Sequence, residues 1–179
     1  NEAVYNTNGG SGALQASDFA LSISGGTATL SSATPTSISA SGNTYTLGIG
    51  SSGSGTGNEL LKVTVNANSV YDAQGNAAST TQETSSTELN KVYLNDVAAP
   101  VISSTTMAAF NEGILVTFSE TVFATNNTTG ILAVSDFSLA LSGGTATLSS
   151  STPTSISGNN GPVITLGVSL AGLANGSEV

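Results

Sequence analysis

The sequence predicts an all-β chain of antiparallel β-sandwich domains in tandem, and three observations carry that reading. Apolar residues alternate with polar ones in short runs: Leu61, Val63 and Val65 flank Lys62 and Thr64, the pattern of a strand with one buried and one wet face. Gly, Asn, Asp and Pro clusters punctuate these runs at the roughly 8–12-residue spacing typical of sandwiches. A long segment also recurs. Residues 24–39 read SGGTATLSSATPTSIS and residues 142–157 read SGGTATLSSSTPTSIS, so fifteen of sixteen positions agree and only Ala33 differs, from Ser151.

The repeat has a fixed register of 118 residues, which sets Glu2 on Glu120, Asp18 on Asp136 and Pro35 on Pro153. One extra residue in the second copy then sets Thr46 on Thr165 and Glu59 on Glu178. A period of this size is a whole small domain, and arrays of such domains supply length, spacing or many weak contacts. The expected linker is Asn95-Asp96-Val97-Ala98-Ala99-Pro100, where Pro100 biases Ala99 toward extended backbone. The domains are therefore placed at 1–97, a repeat without its first strands, and 98–179, a repeat without its last strands. Asn1 aligns with Ser119 inside an apolar run, and Val179 aligns with Leu60. The expectation is a piece of a longer chain; the rival is that incomplete ends complement each other between chains by strand addition.

The elements follow in order. In the first copy Phe19, Leu21 and Ile23 share one face of a strand, and Gly25-Gly26 turn it into Thr27–Leu30, a hairpin signal. Residues 44–49 form the next clear strand, followed by 61–65. Val70-Tyr71 lead into a turn at 72–76 with Gly75 supplying positive φ, residues 77–81 resume, and 91–94 close the unit. In the second copy residues 101–105 open, and 114–119 follow a turn at Asn111-Glu112-Gly113. Phe137, Leu139 and Leu141 repeat the hairpin through Gly143-Gly144, and 163–168 match 44–49. Helical spacing never persists for more than a turn. The expected core includes Phe118, Phe123, Phe137, Leu139, Leu148, Ile156 and Leu166 with their first-copy partners.

Composition bounds the function. Charged residues make up 7% of the chain, against about 25% in ordinary soluble domains. Lys62 and Lys91 are the only basic side chains, and Cys, His and Trp are absent. A formal charge of −9 argues against nucleic acid and anionic membrane surfaces, since two lysines cannot neutralise a run of phosphates. No apolar run is long enough for membrane insertion as a helix. Without His or Cys the Ser-His-Asp and Cys-His arrangements cannot be built, the glycines open no phosphate loop, and no enzyme is expected.

The motifs Val116-Thr117-Phe118-Ser119-Glu120, after Ala99-Pro100-Val101-Ile102, and Tyr71-Asp72-Ala73-Gln74-Gly75-Asn76-Ala77-Ala78 carry a resemblance. The chain resembles the bacterial immunoglobulin-like (Ig-like) tandem repeats of S-layer proteins and giant cell-surface adhesins, including the gliding-motility surface filaments of Bacteroidetes. The resemblance spans essentially the whole chain and is more specific for fold than for role. It implies tandem Ig-like sandwiches in a long secreted protein of the bacterial cell surface. There they would form a stalk or filament with neighbouring repeats of the same protein as partners, and bind surface or other-cell ligands through regions outside this chain. The alternatives are a ligand- or carbohydrate-binding repeat and a self-assembling filament or S-layer subunit. The unit is longer than a minimal sandwich of this type, and residues 124–130 are the expected added loop.

Calcium is the one cofactor with a candidate site. Oxygen ligands at a domain junction could fix the angle between sandwiches, and Asp72, Asn76, Asn95, Asp96 and Glu120 (Glu2 in the other copy) are the candidates. Each also has a structural reading: Asp72 to Asn76 is a turn that bonds its own backbone, and Asp96 a solvated linker residue. Asp18 and Asp136 are read as strand starts, and the Thr-Ala-Thr triplets at 27–29 and 145–147 as ordinary strand. The sequons at Asn126, Asn127 and Asn175 are chance matches.

Overall fold

The computed structural model describes residues 2–81, 90–126, 129–158 and 161–179. Described residues form short antiparallel strands and three single-turn 3₁₀ segments, with no α-helix among them. The chain divides into two compact units, Asn1–Ala98 and Ala99–Val179.

In the first unit the strands are β1 (Phe19–Ser24), β2 (Thr29–Leu30), β3 (Ser37–Ser41), β4 (Thr44–Gly48), β5 (Ser51–Ser52), β6 (Leu60–Val65) and β7 (Lys91–Tyr93). They pair as a three-stranded sheet β1-β6-β7 and two ribbons, β2-β5 and β3-β4. In the second unit β8 (Ile102–Met107), β9 (Gly113–Phe118), β11 (Ile156–Ser157) and β12 (Val163–Gly167) form a sheet of order β11-β12-β9-β8. The ribbon of β10 (Thr147–Leu148) and β13 (Leu170–Ala171) completes it.

The duplicated sequence folds the same way twice. Leu21 N–H donates to Ala33 O at 2.7 Å and Leu139 N–H to Ser151 O at 2.7 Å. Thr36 N–H reaches Gly48 O at 2.9 Å, and Thr154 N–H reaches Gly167 O at 3.0 Å. Ser31 N–H bonds Gly50 O at 3.0 Å, and Ser149 N–H bonds Ser169 O at 2.9 Å. Even the small turn in which Thr34 N–H bonds Ser32 Oγ (3.0 Å) recurs as Thr152 N–H on Ser150 Oγ (3.0 Å).

Three expectations change. The Gly-Gly turn does not close a hairpin, because β1 pairs with β6 and β2 with β5. The counterpart of β1, residues 137–142, is assigned to no strand; a strand needs a partner, and in the first unit that partner is β6. Residues 77–81 give only an isolated bridge, Tyr71 with Ala77. The expected loop at 124–130 closes on itself through Ala124 N–H on Gly130 O (3.4 Å) and a Thr125 hydroxyl on Thr129 O; Asn127 and Thr128 lie outside the described residues.

The cores are aliphatic. In the second unit Val116, Val122, Leu132, Ile164 and Leu166 are buried together, with Ile114, Phe118, Phe137, Leu139 and Ile156 packed against them. The first unit buries Leu14, Leu21, Ala28, Leu61 and Val70. None of the aromatic side chains is fully buried, and Phe123, expected inside, is 43% exposed. Short side chains suit these short, closely spaced strands, and the wider rings lie at the margins.

Candidate functional site

The most organised polar feature in each unit is a carboxylate seated in a ring of backbone N–H groups. In the first unit Gly25 and Gly26 both adopt positive φ (77° and 55°), which swings the following N–H groups inward. Thr27 N–H and Ala28 N–H donate to Glu59 Oε1 at 2.6 and 3.1 Å. Thr56 N–H donates to Oε2 at 2.8 Å, and the Thr56 hydroxyl to Oε1 at 3.0 Å. Glu59 is fully buried. The bond from Ala28, with those from Thr56 and Thr27, outweighs burial and holds its carboxyl at about 2, below the ordinary 4.5. A side chain at Gly26 would collide with this carboxylate.

The second unit repeats the device. Gly143 and Gly144 have φ of 73° and 64°. Thr145 N–H and Ala146 N–H donate to Glu178 Oε1 at 2.9 and 3.1 Å, and Gly176 N–H donates to Oε2 at 2.9 Å. Asn175 N–H reaches both oxygens, at 3.1 and 3.0 Å. Ala146 and Asn175 are the main reasons that Glu178 also sits at about 2. Neither Glu59 nor Glu178 figures among the sequence candidates, although they fall on each other in the repeat register. An acidic residue kept in both copies, at matching positions of the repeat register downstream of Gly-Gly-Thr-Ala, was the available signal.

The calcium candidates are placed as follows. Asp72 Oδ1 accepts from Gln74 N–H (2.9 Å) and Asn76 N–H (2.8 Å), and Oδ2 accepts from Asn76 Nδ2 (2.8 Å). The Asn76 side chain is the largest reason the Asp72 carboxyl lies below its ordinary value. These two residues therefore cap one turn, which packs against Asn8 through Gly75. Asn95 and Asp96 run beside Gly55 and Gly57, with Val97 N–H on Gly55 O at 2.8 Å and Ala98 N–H on Asp96 Oδ1 at 3.1 Å. Glu120 belongs to the second unit, beside Pro100, Thr121 and Val122. Among the described residues no three His, Cys, Asp or Glu side chains come together as a metal-holding group. Asp18 and Asp136 accept the N–H of Gln15 (2.7 Å) and Ala133 (2.9 Å), each capping the 3₁₀ turn that precedes its Phe.

Among the described residues no helix is long and apolar enough to cross a membrane. The chain matches no family model, no curated protein and no solved structure.

Proposed function

We propose that this chain is a structural segment of a stalk or filament: Ig-like sandwich repeats of a long, secreted bacterial cell-surface adhesin that project a binding region from the cell. One observation carries the reading. A near-identical sequence builds the same hydrogen-bond set twice, down to the carboxylate that locks each Gly-Gly turn. Duplication that keeps internal bonding in a chain without His or Cys favours spacing over chemistry. In this reading the sheets β1-β6-β7 and β11-β12-β9-β8 are the two layers of one sandwich type, each seen in full in only one unit.

Small-angle scattering on polypeptides of one, two and four consecutive repeats tests the proposal. The maximum dimension grows by a constant increment, a few nanometres per repeat. A dimension that levels off would replace the stalk with a compact assembly. Repeating the measurement with a calcium chelator tests whether Asp72, Asn76, Asn95, Asp96 and Glu120 contribute to stiffness; an unchanged profile removes calcium from the account.

A further inference from the structure

Asparagine followed by glycine is the dipeptide in which a backbone nitrogen most readily attacks the preceding side chain, because glycine sets no Cβ in the way. The chain has three such pairs, Asn8-Gly9, Asn160-Gly161 and Asn175-Gly176; Asn160 lies outside the described residues. We propose that Asn8 is a site of spontaneous conversion to aspartate and isoaspartate, and that the Glu178 carboxylate shields Asn175 from the same reaction.

Asn8, Gly9 and Gly10 form the tip of a small loop closed by the Thr7–Ser11 bridge. Asn8 and Gly9 are exposed. Among the described residues neither the Asn8 side chain nor the Gly9 N–H has a hydrogen-bond partner, and a Cβ built at Gly9 would meet nothing within 4 Å. The side-chain amide is thus free to turn onto the nucleophile, and water has access to both. The pair at 175–176 differs on each count. Gly176 N–H donates to Glu178 Oε2 at 2.9 Å, and Asn175 Oδ1 accepts from Ser177 N–H at 3.0 Å. To react there, the Gly176 nitrogen must give up a proton shared with a carboxylate, beside a negative charge that opposes a second one. The Asn175 side chain must also leave Ser177.

The reaction consumes water alone. The Gly9 nitrogen, its proton lost to solvent, attacks Asn8 Cγ and closes a cyclic imide. The Cγ–Nδ2 bond breaks, and the freed nitrogen takes up a proton and leaves as ammonia. Water then adds to one of the imide carbonyls, and the C–N bond there breaks. Opening at the side-chain carbonyl restores the backbone and leaves an aspartate. Opening at the backbone carbonyl threads the chain through the side chain and lengthens it by a carbon atom. The position matters because the turn at 72–76 rests on this loop. A Cβ at Gly75 would lie 2.5 Å from the Asn8 carbonyl oxygen, and one at Gly10 would lie 3.0 Å from that of Ala73. A lengthened backbone at position 8 pushes on that turn, so conversion loosens the contact.

The test incubates the intact chain in mildly alkaline buffer and maps the products by mass spectrometry, with isoaspartate labelled by enzymatic carboxyl methylation. Asn8 converts at least about tenfold faster than Asn175, as expected where one site must open locally before it reacts and the other need not. In urea the two rates become similar. Gly9→Ala slows conversion at Asn8 by a comparable factor and keeps the fold, since Gly9 has neither a positive φ nor a crowded surrounding. Glu178→Ala raises the Asn175 rate toward its value in urea, with exchange protection of the β9–β12 ladder showing that the unit is still folded. Should that variant lose protection, Glu178→Gln replaces it, and a faster Asn175 is again the expected result. Equal rates in the native chain, a difference that survives urea, or an Asn175 that stays slow in the folded Glu178 variant would overturn the proposal. The inference stands apart from the stalk reading, whose scattering test none of these outcomes decides.

Discussion

The strand Thr44–Gly48 of the first unit and Val163–Gly167 of the second share Thr-Leu-Gly at equivalent positions and the same hairpin partner, yet only one of them lies in a core. β12 is flanked by β11 and β9, and Ile164 and Leu166 are 0% and 3% exposed. β4 pairs with β3 alone, and its Tyr45 and Leu47 are half-buried. The reverse holds for the other sheet, where Leu21, with β6 paired alongside, is buried while Leu139 is half-buried. Burial here is conferred by the strand alongside, not by the local sequence. The hydrogen bonds of the turns are indifferent to that difference and repeat almost unchanged.

Truncating the matched leucines breaks this comparison most sharply. Leu166→Ala destabilises the second unit by about 2–5 kcal/mol, as expected for a fully buried Leu, whereas Leu47→Ala costs the first unit roughly half as much or less. Denaturant unfolding followed by hydrogen exchange at each unit's own ladder reads the two separately. Equal losses would mean that β4 is covered as completely as β12.

Next come the turn glycines. Gly26→Ala and Gly144→Ala each force an L-residue into positive φ, at about 1–2 kcal/mol, and push a Cβ against a carboxylate. The larger loss belongs to Gly26→Ala, since Glu59 is fully buried and cannot yield, while Glu178 is only half-buried. Thermal unfolding of the two variants ranks them, and an inverted order would show that Glu178 is the less yielding carboxylate.

The mildest effect is acid. Glu59 and Glu178 have folded-state values depressed to about 2 from 4.5, so their contribution is complete above the unfolded value and is lost as pH falls from about 4.5 toward 2. Unfolding midpoints followed over that window decline, and the decline flattens in the Glu59→Gln, Glu178→Gln double variant. An unaltered slope in that variant would place the acid sensitivity elsewhere.

Much of the fold was legible in the sequence, and the illegible part has a common cause. Alternation located β6, β9 and β12 to within a residue or so, and the repeat register carried each assignment from one copy to the other. Alternation cannot say which strands pair, so the Gly-Gly turn read as a hairpin when β1 in fact joins β6 across more than thirty residues. Nor could it show that residues 137–141, as apolar as β1, would lack a ladder. The ring of Phe123 was assigned to the core by hydrophobicity, but it lies at a margin, 43% exposed. The carboxylate seats went unread because most of their donors are backbone amides, which every residue has; the repeat register marked only the matched acids, not what holds them.

That choice of donor has a consequence for the medium in which these units work. The groups that seat Glu59 are amides and a hydroxyl, without an ammonium or guanidinium among them. Dissolved ions weaken attraction between exposed charges by crowding around them, but they have no route to a sealed carboxylate held by dipoles. The latch is therefore far less sensitive to brine than a surface ion pair would be.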